Sequence, residues 1–139
     1  MPQDPIQTVR SFYEAFGRQD VHRFTELLDP QIEWTSAESF LYADHSPYVG
    51  VDAVVKLIFG RLPADWEHFA VSSGEILGGG ELVIASGRFL GRFRANGASI
   101  DAQFVQVFQC RDGKILKCQM YTDTAQFKET LSQTRSAGR

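Results

Sequence analysis

In the stretch FVQVFQCRDGKI, residues 104–115, the alternate positions Phe104, Gln106 and Phe108 share one face of a strand. An amide set between two phenylalanines must find hydrogen-bond partners or cost about 1–3 kcal/mol. Gln106 offers two donors and one carbonyl, so it either holds an oxygen of a bound ligand or satisfies itself on a neighbouring side chain or a trapped water. Moving a proton needs a different group. Glu38, in the loop SAESFLYADHSPYVG, is a candidate general base if it turns inward, where burial raises a carboxyl pKa; turned outward it is a solvated loop residue. His68, in WEHF, shares a predicted inner face with Trp66 and could serve as acid, base or donor. The plainer alternative is a rim histidine satisfied at a strand end. Asp44 and His45 lie between Tyr42 and Tyr48, a cluster suited to a pocket lid in which the tyrosines pack over the entrance and the two ionisable groups stay solvated on a mobile loop.

Other chemistries are poorly supplied. His22, His45 and His68 fall on a helix, a loop and a strand without ligand spacing, and Cys110 and Cys118 have no partner pattern, so no metal is expected. Gly78-Gly79-Gly80 joins strands and lacks the strand-to-helix setting of a phosphate loop, and no G-x-S-x-G is present. Chemistry without a cofactor, or binding alone, is what remains. The net charge of −3, from 14 basic and 17 acidic residues, gives no positive field to recruit nucleic acid or anionic lipid. The run VVKLIF is too short to span a bilayer, and MPQDPIQTVR lacks the basic-then-apolar order of an export signal. The expectation is a soluble cytoplasmic protein, with no nucleic-acid and no membrane partner.

The elements that must position these residues follow from periodicity. Ile6, Val9, Phe12, Tyr13 and Phe16 recur at helical spacing before Gly17, Asp20 can cap VHRFTELL, and Asp29-Pro30 ends that second helix. A short strand starts at Ile32, and Val54, Val55, Ile58, Phe59 and Leu62 mark a third helix over residues 51–62. From Trp66 the period becomes two, with turns at 78–80, 96–97 and 111–113 separating strands at roughly 66–77, 82–95, 98–110 and 114–122. A C-terminal helix follows, capped by Asp123 with Gln126 answering it.

A two-residue Asn96-Gly97 turn predicts Phe93 opposite Ile100, Phe89 opposite Phe104, and Gly87 opposite Gln106. A bulge at Gly113 then brings Cys118 opposite Gln106 and leaves the two cysteines too far apart to bridge. On the outer face Arg92 pairs with Asp101. The 139 residues, 43% hydrophobic and 12% aromatic, suit one α+β domain over residues 1–139, with helices first and an antiparallel meander burying one face against them.

With those elements in order, the chain resembles the nuclear-transport-factor-2-like, or cystatin-like, superfamily, and within it a SnoaL-like, ketosteroid-isomerase-related group. The resemblance rests on FYEAFGRQDVHRFTELLDPQIEW, PYVGVDAVV and VQVFQCRDGKILKCQMYTDTA. It implies a cone of three N-terminal helices on a curved, mainly antiparallel sheet, enclosing an apolar pocket, with a short C-terminal helix. Ketosteroid isomerases use an aspartate base with a tyrosine and a protonated aspartic acid. Counted from Asp20 and the DGKI hairpin, those positions hold Ser36, Phe12 and Gln106, so steroid isomerisation by that route is disfavoured.

The implied function is acid/base chemistry of isomerase, cyclase or epoxide-hydrolase type on a small apolar oxygen-containing metabolite. Glu38 or His68 would move the proton and Gln106 would hold the oxygen. Phe12 and Trp34 would line the pocket with Tyr42 and Trp66, and the strands would add Phe89, Phe104, Phe108, Cys118 and Met120. The alternative is a binding or accessory protein using the same cone. The superfamily also implies a homodimer through the outer sheet face, where Val71, Leu90, Val105, Val107 and Tyr121 are expected.

Overall fold

In a computed structural model of the chain, which describes residues 4–133, two short helices precede the first strand. Helix α1 (Pro5–Gly17) starts where the Asp4 carboxylate accepts from the Ile6 amide, and it buries Thr8, Val9, Phe12 and Ala15 along one stripe. Asp20 caps α2 (Val21–Glu26) in the same way, accepting from the Arg23 amide. Strand β1 (Leu28–Thr35) begins four residues before the expected Ile32. Its first part is irregular, so pairing with the last strand skips from Leu28 to Glu33.

The loop after β1 returns as β2 (Tyr48–Val49), antiparallel to β1. The third helix is broken: α3 (Val51–Leu57) gives way to a 3-10 turn (Phe59–Arg61) and a single α turn, α4 (Leu62–Asp65). Four long strands follow, β3 (Trp66–Gly79), β4 (Leu82–Phe93), β5 (Ser99–Arg111) and β6 (Lys114–Thr122), and then α5 (Thr124–Ser132). The six-stranded sheet has the order β2-β1-β6-β5-β4-β3, with β1 parallel to β6 and the other pairs antiparallel. The result is the α+β cone, helices packed on the concave face of one curved sheet.

Two expected registers are shifted. The β4–β5 connection is longer than two residues, because the Gly97 amide donates to the Phe93 carbonyl and the Phe93 amide to the Ala98 carbonyl. Gln106 therefore pairs with Ala85 rather than Gly87, and Gly87 pairs with Phe104. At the β5–β6 turn both Asp112 and Gly113 have positive φ, 53° and 77°, as a two-residue turn of the mirror-image type requires. The bulge moves to Gln109/Cys110, so Gln106 faces Met120 and Cys118 faces Phe108.

Each slip is even, so every side chain keeps its face. Ile100, Ala102, Phe104, Gln106, Phe108 and Cys110 all lie buried along β5. On the outer face Asp101 stands opposite Leu90 and takes Arg88 as its ion-pair partner, while Arg92 pairs with Glu67. Cys110 and Cys118 are buried free thiols on neighbouring strands.

Buried side chains form two clusters. One gathers Phe12, Phe24 and Trp34 with Phe108 and Cys118 under the first helices. The other gathers Trp66, Phe89, Phe104, Met120 and Phe127 toward α5. Tyr13 packs against both.

Candidate functional site

The seam between the two clusters holds a cavity of about 50 Å³, room for a few waters and no more. Its inner wall is Phe12, Trp34, Ile58, Phe89 and Met120 with Phe40 and Tyr42 from the loop after β1, all buried. Half-buried Phe16, Phe59, Leu62, Phe69 and Val71 close it toward solvent. Rings dominate: Phe59 lies edge-on to Trp34 at 5.4 Å and to Phe16 at 5.8 Å between centroids. Tyr13, Ser36, Tyr42 and Gln106 supply the polar atoms.

Gln106 is 5% exposed, and its carbonyl accepts from the Tyr13 hydroxyl at 2.5 Å. No described residue accepts from its Nε2, which is reached from the cavity that Gln106 lines rather than sealed in the core. Two amide donors are thus available to whatever enters. Burial holds the Tyr13 phenol well above its ordinary value, so it is a permanent donor rather than an acid. Tyr13 and Gln106 form one unit: the tyrosine fixes the rotamer of the amide and leaves its N–H groups for a ligand oxygen.

The loop over the site is pinned. Arg61 grips Asp44 through both terminal nitrogens at 2.8 and 2.9 Å, and its guanidinium lies 4.7 Å from the centre of the Tyr42 ring. That grip, with the Tyr48 hydroxyl 2.8 Å away, holds the Asp44 carboxyl below its usual range. The Tyr42 hydroxyl donates to Asp65 at 2.7 Å, and burial followed by that carboxylate raises its pKa. The Ser36 hydroxyl donates to the Tyr42 carbonyl at 2.9 Å. Asp44 and His45 are both exposed, as expected of this loop, but Asp44 is also clamped, because Arg61 from the broken third helix reaches across to it.

Of the candidate residues, Phe12, Trp34, Tyr42, Phe89, Gln106 and Met120 meet around the cavity. Trp66, Phe104, Phe108 and Cys118 are buried behind it as packing, outside its lining. His68 is exposed, because the pairing skips between Trp66 and His68. That bulge inverts the alternation, so Phe69 and Val71 face inward in place of His68 and Ala70. Val71 thus leaves the outer face where it was expected. Glu38 is exposed next to Ser39, whose φ is 69°, and it does not line the cavity.

No carboxylate, histidine or lysine is among the described lining residues. Nor do three metal-ligating side chains converge anywhere among the described residues. Tyr13 was missed as a site residue. Its signal was present, since a buried amide needs a partner and Tyr13 stands beside Phe12 on the apolar stripe of α1.

Residues 9–118 match the SnoaL-like domain family. Among solved structures, an NTF2-like protein from Burkholderia thailandensis is 28% identical, with a TM-score of 0.89 over 94% of this chain and 99% of that one. TerC, co-crystallised with polyporic acid, is 20% identical, with a TM-score of 0.81 over 94% of this chain and 100% of the other. IdmH from Streptomyces antibioticus, provisionally designated a polyketide cyclase, is 19% identical with a TM-score of 0.75, over 94% of this chain and 100% of its own. No curated protein matches the chain.

Proposed function

The chain belongs to the SnoaL-like domain family, and from that premise we propose that it holds a small, flat, apolar compound bearing one carbonyl or hydroxyl oxygen. The unsatisfied Nε2 of Gln106 in an otherwise aromatic cavity carries this reading. A ligand oxygen accepting from it replaces a donor left unpaired by the protein, and the rings enclose the apolar body. At about 50 Å³ the cavity must widen to take any such ligand. The half-buried rings and aliphatic side chains on its solvent side are the parts able to move.

Binding is favoured over side-chain acid/base catalysis. Tyr13 and Tyr42 stay protonated, Ser36 is committed to a backbone carbonyl, and Glu38 and His68 stand exposed. The fold likeness to IdmH favours a second reading, an isomerase, cyclase or hydrolase reaction in which Glu38 or His68 moves the proton. Confining a substrate that carries its own reactive carbonyl would itself promote ring closure. We further propose a single domain over residues 1–139, a cytoplasmic location and a homodimer through the outer sheet face. Among the described residues no helix is long and apolar enough to cross a membrane.

The deciding experiment compares acetophenone with its hydrocarbon analogue ethylbenzene by calorimetry, in wild type and in Gln106→Leu. The variant should bind acetophenone about 3- to 10-fold more weakly, the worth of one neutral hydrogen bond, and ethylbenzene no more weakly than wild type does. Equal losses for both ligands, or none, sink the assignment. Turnover that disappears in Glu38→Gln or His68→Ala establishes the second reading instead.

A further inference from the structure

A second recess adjoins the cavity and shares two walls with it. It is an open cleft of about 490 Å³ between α1 and β3, lined by Gln7, Arg10, Tyr13 and Glu14 on the helix and by Val71, Ser73 and Ile76 on the strand. Tyr13 and Val71 also line the cavity. The two elements run in opposite senses along this seam. Going outward, α1 passes from Phe16 through Tyr13 to Arg10 and Gln7, while β3 passes from Phe69 through Val71 to Ser73. The Tyr13 side chain thus borders both the apolar cavity and the open polar cleft, and its hydroxyl on Gln106 is the latch that holds it there.

The strand side can yield, because β3 is the sheet's edge and is largely exposed. The cleft lining carries one cation and one anion, Arg10 and Glu14. Glu14 is engaged by Arg18 at 4.0 Å, whereas Arg10 is exposed and has no ion-pair partner among the described residues.

We propose that cavity and cleft are two halves of one site for an amphipathic carboxylate. The ligand's apolar, carbonyl-bearing portion displaces the Tyr13 ring and takes its oxygen to Gln106 Nε2, and its carboxylate tail lies along the cleft on Arg10. This rests on the pocket reading above and adds the second half of the ligand. It also accounts for a chamber too small by itself for any organic compound: the volume is divided in the free protein and joined on binding. Swinging Tyr13 aside takes the donor from Gln106 Oε1, and the ligand oxygen gains a different bond at Nε2 of the same amide, so one hydrogen bond is exchanged for another. Arg10 offers a forked, charge-assisted contact of the kind that discriminates an acid from its ester.

The test uses 4-oxo-4-phenylbutanoate, its methyl ester and acetophenone as probes, with wild type, Arg10→Gln and Tyr13→Phe. Arg10 is exposed, so its replacement leaves the fold intact. The acid should bind wild type at least 5-fold more tightly than the ester. In Arg10→Gln that difference should vanish, with acetophenone binding unchanged. Tyr13→Phe, which keeps the ring and removes the latch, should raise the association rate of all three probes. An acid that binds no better than its ester, or an acid preference that persists in Arg10→Gln, overturns the two-chamber proposal even where acetophenone binding still depends on Gln106. Failure of every probe to bind overturns the pocket reading and this inference together.

Discussion

Gln106 is held in one orientation by a phenol that cannot ionise in its surroundings, and that shared burial has a measurable consequence for stability. Burial raises the pKa of Tyr13 and Tyr42, lifts Cys110 from near 9 to about 11, and pushes Cys118 well above the ordinary thiol range. A group whose folded pKa exceeds its unfolded one stabilises the fold fully below the unfolded value and loses that contribution as pH rises through the folded one. Here the folded chain holds protons that the unfolded chain releases from about pH 8.5 for thiols and about pH 10 for phenols. The urea midpoint should therefore be flat near pH 7–8 and fall steeply between pH 9 and 11. Cys118→Ala should flatten that fall by the share of one group. A midpoint independent of pH up to 11 would contradict the burial of these side chains. The amide was legible at this scale because it breaks the apolar alternation of β5. Tyr13 was not, because its packing against both clusters depends on how α1 is laid across the sheet.

Among the elements, β4 decides how closely the sheet can curve. A Cβ on Gly87 would lie 2.2 Å from the Ser72 carbonyl oxygen and 2.9 Å from the Phe104 ring. The first is backbone on the adjacent strand and has nowhere to go. Gly87→Ala should therefore cost about 2–3 kcal/mol by overpacking, read as a lowered urea midpoint with the m-value little changed. Wild-type stability in the variant would mean that the β3–β4 contact is looser than described. At Gly91 too the missing side chain permits close backbone approach, since a Cβ there would lie 3.1 Å from the His68 carbonyl oxygen. Neither the bulge after Trp66 nor the break at Ile58 was readable. The WEHF run keeps strand composition through the bulge, and residues 51–62 keep the apolar spacing of one unbroken helix.

For the whole molecule, the outer sheet face leaves Leu82 at 54%, Ile84 at 48% and Tyr121 at 56% exposure, with Val105 beside Tyr121 in register. Large apolar side chains grouped on one face mark an association surface, and symmetric pairs are the commonest oligomers. Light scattering at micromolar concentration should give twice the 15.6 kDa chain mass, and Ile84→Glu with Tyr121→Glu should return it to one. A monomeric wild type at high concentration removes the dimer.

The sequence by itself determined the α+β order of elements, the four long strands within about two residues, and the face on which Gln106 lies. Those features follow from local periodicity, and an even slip of register leaves them untouched. Tertiary structure alone decided which residues meet. One extra residue after Trp66 turned His68 outward and Val71 inward. Arg61, reaching from beyond the helix break, fastened the loop at Asp44. The crossing of α1 over β5 gave Gln106 its tyrosine. Contacts of that kind join residues far apart along the chain, where no periodicity in the sequence reports them.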